Sequence, residues 1–181
     1  LVAAAFGDSP YATYTKVIHA PAREGEPVSV ILSGMREVNQ VEICAVNRLR
    51  KRIVTFYQTE FTLQEDTLFV DAGTLDVSIS NGVQQQVFNT DCIGCHGAST
   101  FAAANLFLTE GKSEAALVGV PSTRSEAGKL LVTPRSPDES FLMDVLTHPE
   151  AVRHDHVDIL SAKPDKLTLL EAWIESIKTN L

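Results

Sequence analysis

The chain has 181 residues, 44% of them hydrophobic and 21% charged, with 23 acidic against 15 basic side chains and a formal net charge of −8. That balance argues against a nucleic-acid or anionic-membrane surface, which needs clustered Lys and Arg, and no apolar run approaches the ~20 residues that span a bilayer. Aromatics make up only 7%, and the three cysteines are too few, and odd in number, for a disulfide framework.

Leu1 stands where an initiator Met would, as in a processed or excised chain. Residues 1–6 are small and apolar, read as the end of a leader, and are set outside the fold. From residue 11 to 79 the pattern is mostly period two. Strands are expected at 28–32, 41–46, 53–57, 67–70 and 75–79, with turn residues such as Ser33-Gly34 and Asp71-Ala72-Gly73 between them. Short strands at roughly ten-residue spacing predict a small antiparallel sheet or sandwich.

The period changes after Ser80-Asn81-Gly82, which reads as the turn between a β-rich module (1–82) and a helical domain (83–181). Val83 and Val87 lie four apart and lead into Asp91-Cys92, as a short amphipathic helix would. A short helix is expected over 113–120, capped by Ser113 and stopped by Pro121. Another should start at Pro137-Asp138-Glu139-Ser140, where proline and acid favour a first turn, with Phe141, Leu142, Val145 and Leu146 on one side. The last starts at Pro164-Asp165 and carries Leu167, Leu170, Ile174, Ile177 and Leu181 along one stripe, widened by Leu169 and Trp173. Short helices with long loops bury little by themselves; a cofactor at their centre would supply the missing core.

Cys92-Ile93-Gly94-Cys95-His96 is C-x-x-C-H, the attachment pattern of a c-type haem. Residues three apart in a helical turn point the same way, so both thiols can reach the two vinyl groups of one porphyrin, and the next residue presents an imidazole to the iron. Gly97 leaves room for the chain beside the haem edge. A thioredoxin-like dithiol would want a βαβ setting. A zinc site would need further ligands, with only His148, His154 and His156 nearby. A Cys92–Cys95 disulfide would leave His96 unexplained.

Residues 83–181 resemble a small class I cytochrome c domain of the bacterial type found in multidomain exported proteins. The likeness rests on Cys-Ile-Gly-Cys-His-Gly at 92–97, Leu130-Leu131-Val132-Thr133-Pro134 with Ser136-Pro137-Asp138-Glu139-Ser140-Phe141-Leu142, and Leu170-Glu171-Ala172-Trp173-Ile174. It implies an all-α domain around one covalent haem c, and hence an α+β chain overall. It also implies a periplasmic, secreted or cell-surface location. The family usually supplies its sixth iron ligand from a Met-Pro pair ahead of the C-terminal Trp. This chain departs from that pattern: His156 occupies the place, seventeen residues before Trp173. The expected ligands are His96 and His156, with His154, then Met143, as rivals, and His148 or His19 behind them. Asp155 and Asp158 could orient the distal imidazole through its second nitrogen. A second imidazole in place of Met lowers the haem potential, and a filled sixth position favours electron transfer over catalysis.

The expected function is therefore a non-enzymatic electron carrier serving a protein redox partner. The alternative is a haem sensor or haem enzyme with a displaceable distal histidine. Arg48-Leu49-Arg50-Lys51-Arg52 reads as a solvated hairpin connection, with docking of an acidic redox partner as its functional alternative. Cys44 reads as a buried free thiol. The β-rich module offers Tyr11, Tyr14, Phe56, Tyr57 and Phe61 for contact with a polysaccharide or a protein.

Overall fold

Four strands form one antiparallel sheet in the order β2-β1-β3-β4: β1 (Val2–Phe6), β2 (Tyr14–Val17), β3 (Gln40–Val46) and β4 (Arg52–Glu60). They belong to a computed structural model that describes residues 1–62, 67–97, 100–154 and 156–178. The chain is thus an α+β protein. It divides into two compact units, Leu1–Val77 and Ser78–Leu181.

The first unit corrects the reading of its opening residues. The segment expected to be leader remnant is β1, paired on both edges, with Val2 opposite Val17 and Cys44 and with Phe6 opposite Gln40. All five of its residues are buried. A run without a polar residue has no face to turn to water, and a central strand between two partners is where such a run fits. Strands β3 and β4 lie where the alternation predicts, with register shifts at Ile43/Cys44 and Ala45/Val46. The segments 28–32, 67–70 and 75–79 do not join the sheet. Ile31 and Phe69 are 82% and 94% exposed, and Ile79 opens a helix instead. Patterning reports fit to a half-buried pleated surface rather than a backbone preference, and β1 and β2 already occupy the places beyond β3.

The β3–β4 turn is shaped by Asn47, whose Oδ1 accepts from the Leu49 and Lys51 N–H groups at 2.9 and 3.0 Å. Arg48, Leu49 and Arg50 are exposed there. Arg52 is not a solvated member of the run. Its guanidinium grips the fully buried Glu42 carboxylate and lies 4.2 Å from the centre of the Phe6 ring. Cys44 is buried in the cluster of Val2, Ala4, Phe6 and Ala12. Phe56 is passed over by the register shift at Ile43/Cys44, where Ile43 pairs Tyr57 and Cys44 pairs Thr55.

In the second unit, Ser80-Asn81-Gly82 is not a turn. It lies within α1 (Ile79–Val83), capped by Ser78, whose Oγ accepts from the Asn81 N–H at 3.2 Å. The helix continues as a wide π-type turn over Gln84–Cys92, in which the Ile93 N–H reaches back five residues to the Phe88 carbonyl, and closes as α2 (Ile93–His96). After it come α3 (Ser113–Leu117), α4 (Phe141–Thr147), α5 (Val157–Leu160) and α6 (Pro164–Ser176), with 3₁₀ turns at Ala103–Asn105 and Pro137–Glu139. The first and last helices pack together. Trp173 meets Phe88 edge to face at 5.8 Å and donates from Nε1 to Ser80 Oγ at 3.2 Å. Val83, Val87, Leu117, Val132, Leu160, Leu170 and Ile174 complete a buried core. The Leu130–Val132 stretch bridges to Val118, Pro121 and Ser140, and the Arg135 N–H bonds the Ile174 carbonyl at the end of α6.

Candidate functional site

Cys92, Cys95 and His96 sit at the C-terminal end of the helical run that begins at Ile79. All three cysteines of the chain are free thiols, with Cys92 half-buried and Cys95 exposed. Burial, reinforced by the charge of Asp91 next to it, pushes the Cys92 thiol up to about 11, against the opposing pull of Lys166 and Lys163. It is therefore a neutral thiol at physiological pH. Gly97 is required for a reason other than the one expected. A Cβ there would fall 2.0 Å from Ile93 Cγ1 and 2.5 Å from the Ile93 carbonyl oxygen, so the chain leaves the motif by passing over its own first turn.

His96 is clasped from two directions by one segment. Its Nδ1 lies 3.2 Å from the Leu106 carbonyl oxygen, and its own carbonyl accepts from the Leu108 N–H at 2.8 Å. A carbonyl can only accept, so the ring carries its hydrogen on Nδ1 and leaves Nε2 as a bare donor pair for a metal. The segment is reached through Ala104 and Asn105, both in the left-handed region with φ of 54° and 56°. For alanine that conformation costs roughly 1–2 kcal/mol, and such strain concentrates at functional sites. A buried amide network holds the segment in turn. Gln84 Nε2 donates to Asn89 Oδ1 at 2.7 Å and to the Leu108 carbonyl at 3.0 Å, while Ser113 Oγ donates to Gln84 Oε1. Ser113, expected as a helix cap, is inside α3 and serves this network instead.

His156 stands at the N-terminal end of α5 with its ring near that of His96. The two ring centroids are 6.4 Å apart and the ring planes are inclined by 33°. Two imidazoles that bind one first-row metal from opposite sides, each with nitrogen about 2.0–2.1 Å from it, hold their centroids roughly 6–6.5 Å apart. The His156 Nδ1 lies 2.6 Å from the His154 carbonyl oxygen, so this ring too presents a bare Nε2. That backbone oxygen does what was expected of a carboxylate from Asp155 or Asp158; Asp155 itself lies outside the described residues. The exposed His154 ring rests edge-on against His156, centroids 5.0 Å apart. Met143 and His148 are elsewhere. Together with Asp138, Asp144, Thr147 and Glu171 they line an open cavity of about 310 Å³ whose lining includes none of Cys92, Cys95, His96 and His156. His19 is exposed in the first unit.

The residues therefore fit a c-type haem: two free thiols three apart, and two imidazoles of matching tautomer at the spacing of paired axial ligands. Among the described residues, no group of three or more His, Cys, Asp or Glu is gathered for a metal ion. A haem iron asks the protein for only two, since the porphyrin supplies the other four nitrogens. Among the same residues no helix is long and apolar enough to cross a membrane. Sequence reasoning missed the Leu106 carbonyl, Gln84 and Ser113. It also missed Asp91, which is held by Lys163 and Lys166. The lysines carried a signal, standing at the start of a helix where cations are disfavoured. The backbone oxygen carried none.

No family model, no curated protein and no solved structure matches the chain.

Proposed function

We propose that residues 78–181 form a monohaem c-type cytochrome unit that passes electrons to or from a protein redox partner outside the cytoplasm, in the periplasm, at the cell surface or after secretion. The observation that carries this reading is the proximity of the His96 and His156 rings, centroids 6.4 Å apart and each with Nδ1 on a backbone carbonyl, in the unit that carries the Cys92 and Cys95 thiols. Each thiol would add its S–H across one vinyl group, sulfur to one carbon and hydrogen to the other, with no net oxidation. His96 and His156 would hold the iron from its two sides. The haem, once bound, supplies a one-electron couple at a potential below that of Met-ligated relatives. His96 and His156 would together hold the iron and leave no position for a substrate, which favours a carrier over an enzyme. The Leu106 and His154 carbonyls fix the ring orientations that this ligation needs. The sheet unit would dock or position a partner, a protein or a polysaccharide.

A visible spectrum with a redox titration tests the whole reading. Covalent haem, a six-coordinate low-spin spectrum without the red Met–iron band, and slow carbon monoxide uptake by the ferrous form are expected. Absence of covalent haem would sink the assignment. Rapid carbon monoxide uptake would instead support a sensor or haem enzyme with a displaceable distal histidine.

A further inference from the structure

We propose that Asp91, gripped by Lys163 and Lys166, is a positioning residue for haem attachment: it locks the start of the turn carrying Cys92, Cys95 and His96 to the start of α6. The inference rests on the haem reading above and adds the part of the chain that sets the attachment turn.

Asp91 directly precedes the first cysteine of the motif, and its side chain is only 8% exposed. Its Oδ1 accepts from Lys163 and its Oδ2 from Lys166. Thr90 completes the cluster, its Oγ1 accepting from Lys166 Nζ at 2.9 Å and lying 2.9 Å from Asp91 Oδ2. The two lysines lie more than seventy residues further along the chain, so the contact ties the motif to the far end of its unit.

The lysines are badly placed for any other purpose. Lys163 is the N-cap residue of α6 and Lys166 lies in its first turn, at the positive end of the helix dipole, where acidic side chains are favoured and cations are not. Asp165 in that turn obeys the rule; Lys163 and Lys166 break it. A residue that breaks a local rule marks a site where something else is being satisfied, and here that is the carboxylate beside Cys92. The motif needs such an anchor. Cys92 ends the wide turn over Gln84–Cys92, and α2 beyond it is a single turn with no side-chain cap, so locally only backbone hydrogen bonds set where Cys92 stands and Asp91 adds the side-chain tie beside it. His96 is fixed from the other end by Leu106 and Leu108. Asp91 and the Leu106 segment thus hold the five-residue motif at its two ends, which suits two thioethers and one ligand that must meet a single rigid group.

The test uses the full chain carrying Asp91→Asn, Asp91→Glu, Lys166→Met or the pair Asp91→Asn with Lys166→Met, each made with and without haem attachment. Two quantities are measured: covalent haem per polypeptide after denaturation, and the rate of Cys92 alkylation by iodoacetamide in the haem-free protein, located by mass spectrometry. Asp91→Asn should lower haem loading several-fold. It should also speed Cys92 alkylation about tenfold, because the thiolate is the reacting form and its population rises both as burial is lost and as the neighbouring Asp91 charge is removed, the second of which Asp91→Glu leaves in place. Lys166→Met, the milder change, should fall between, Asp91→Glu should stay near wild type, and the pair should be no worse than Asp91→Asn alone because the groups act as one unit. Cys44 alkylation and Trp173 emission should stay unchanged, which separates the effect from unfolding. Wild-type loading and wild-type Cys92 alkylation in Asp91→Asn would overturn the proposal, as would an equal loss in Asp91→Glu. A wild-type chain that carries no covalent haem would refute the haem reading instead, and the alkylation arm would still report whether Asp91 sets the Cys92 turn.

Discussion

Glu42 is a fully buried carboxylate in a sheet only four strands wide, so loss of its partners should be felt directly in stability. Its two oxygens accept from Arg52 Nε at 2.8 Å, a second Arg52 nitrogen, Thr55 Oγ1 at 2.8 Å and Gln40 Nε2 at 2.7 Å. Arg52→Met removes two of these four donors and the countercharge, while keeping an apolar stem against Phe6. Breaking a buried pair from one side costs roughly 3–5 kcal/mol. Arg52 is itself 31% exposed, so water can take part of its place, and the lower end, about 3 kcal/mol, applies. At a denaturant slope of about 1 kcal/mol/M for a unit this small, the urea midpoint should fall by about 3 M. Glu42→Gln with Arg52→Met removes the charge as well as its partner and should recover at least about 1 kcal/mol of the loss. Unfolding is followed by tyrosine fluorescence from the sheet unit; the single Trp, Trp173, lies in the other unit and reports on it separately. A loss under about 1 kcal/mol, or a double variant no better than the single, would show that Glu42 is hydrated and refute the reasoning.

Burial, with the charge of Glu42 adding to it and Arg52 and the N-terminus opposing, pushes the Cys44 thiol up to about 12. It should therefore resist a disulfide reagent at pH 8 in the folded protein and react only across the urea transition of the sheet unit. For Asp91, burial alone would raise the carboxyl, but hydrogen bonds from Lys163, Lys166 and Thr90 outweigh it and hold it below the usual carboxylate range. A depressed folded value means stabilisation that is complete above the unfolded value of about 3.9 and is lost as pH falls through the folded one. Acid titration of the Trp173-monitored transition should thus be steeper below about pH 4 in the wild type than in Lys163→Met with Lys166→Met. Gly97→Ala forces a methyl onto Ile93, side chain and backbone both, and should cost about 3 kcal/mol, the upper end for overpacking. Thermal melts of Gly97→Ala and of Gly97→Ala with Ile93→Ala should show only partial rescue, because the carbonyl contact survives; full rescue would mean the backbone clash is relieved at no cost.

What could be read from the sequence followed from how local its cause is. Strands β3 and β4 are adjacent, joined by a short turn and rich in β-branched and aromatic residues, so residue type and a rough period of two located both although two register shifts break the alternation. β1 was missed because its evidence is the lack of alternation: Val2-Ala3-Ala4-Ala5-Phe6 looks like a leader unless two partners are known to flank it, and its partners come from residues 14–17 and 40–46. The strand-like segments 28–32 and 67–70 were misread for the complementary reason. Their residue types suit a pleat, but a strand exists only where a neighbour supplies hydrogen bonds, and β1 and β2 hold those places. Helix α6 was found because thirteen residues carry a stripe and a proline start. A short helix over this stretch follows from Val83 and Val87 standing four apart, but no residue type announces that it widens over Gln84–Cys92 to hydrogen bonds spanning five residues.

The same division runs through the site. Cys92, Cys95 and His96 can be named from spacing alone, because one helical turn sets their relation and nothing distant enters. His156 needed a family pattern to suggest it and geometry to support it, since only the folded chain brings a loop residue sixty positions away to 6.4 Å from His96. The groups that orient the imidazoles are backbone carbonyls of Leu106 and His154, which no residue type announces. That has a consequence for how the site can vary. Substituting Leu106 or His154 leaves both carbonyls in place, so ring orientation should persist through changes at those positions. It should fail through changes that move the backbone, at Ala104, Asn105, Gln84 or Ser113, none of which touches either imidazole among the contacts described. Orientation of the ligands is therefore stored in loop conformation and in a buried amide network, while the ligand types are stored in the motif.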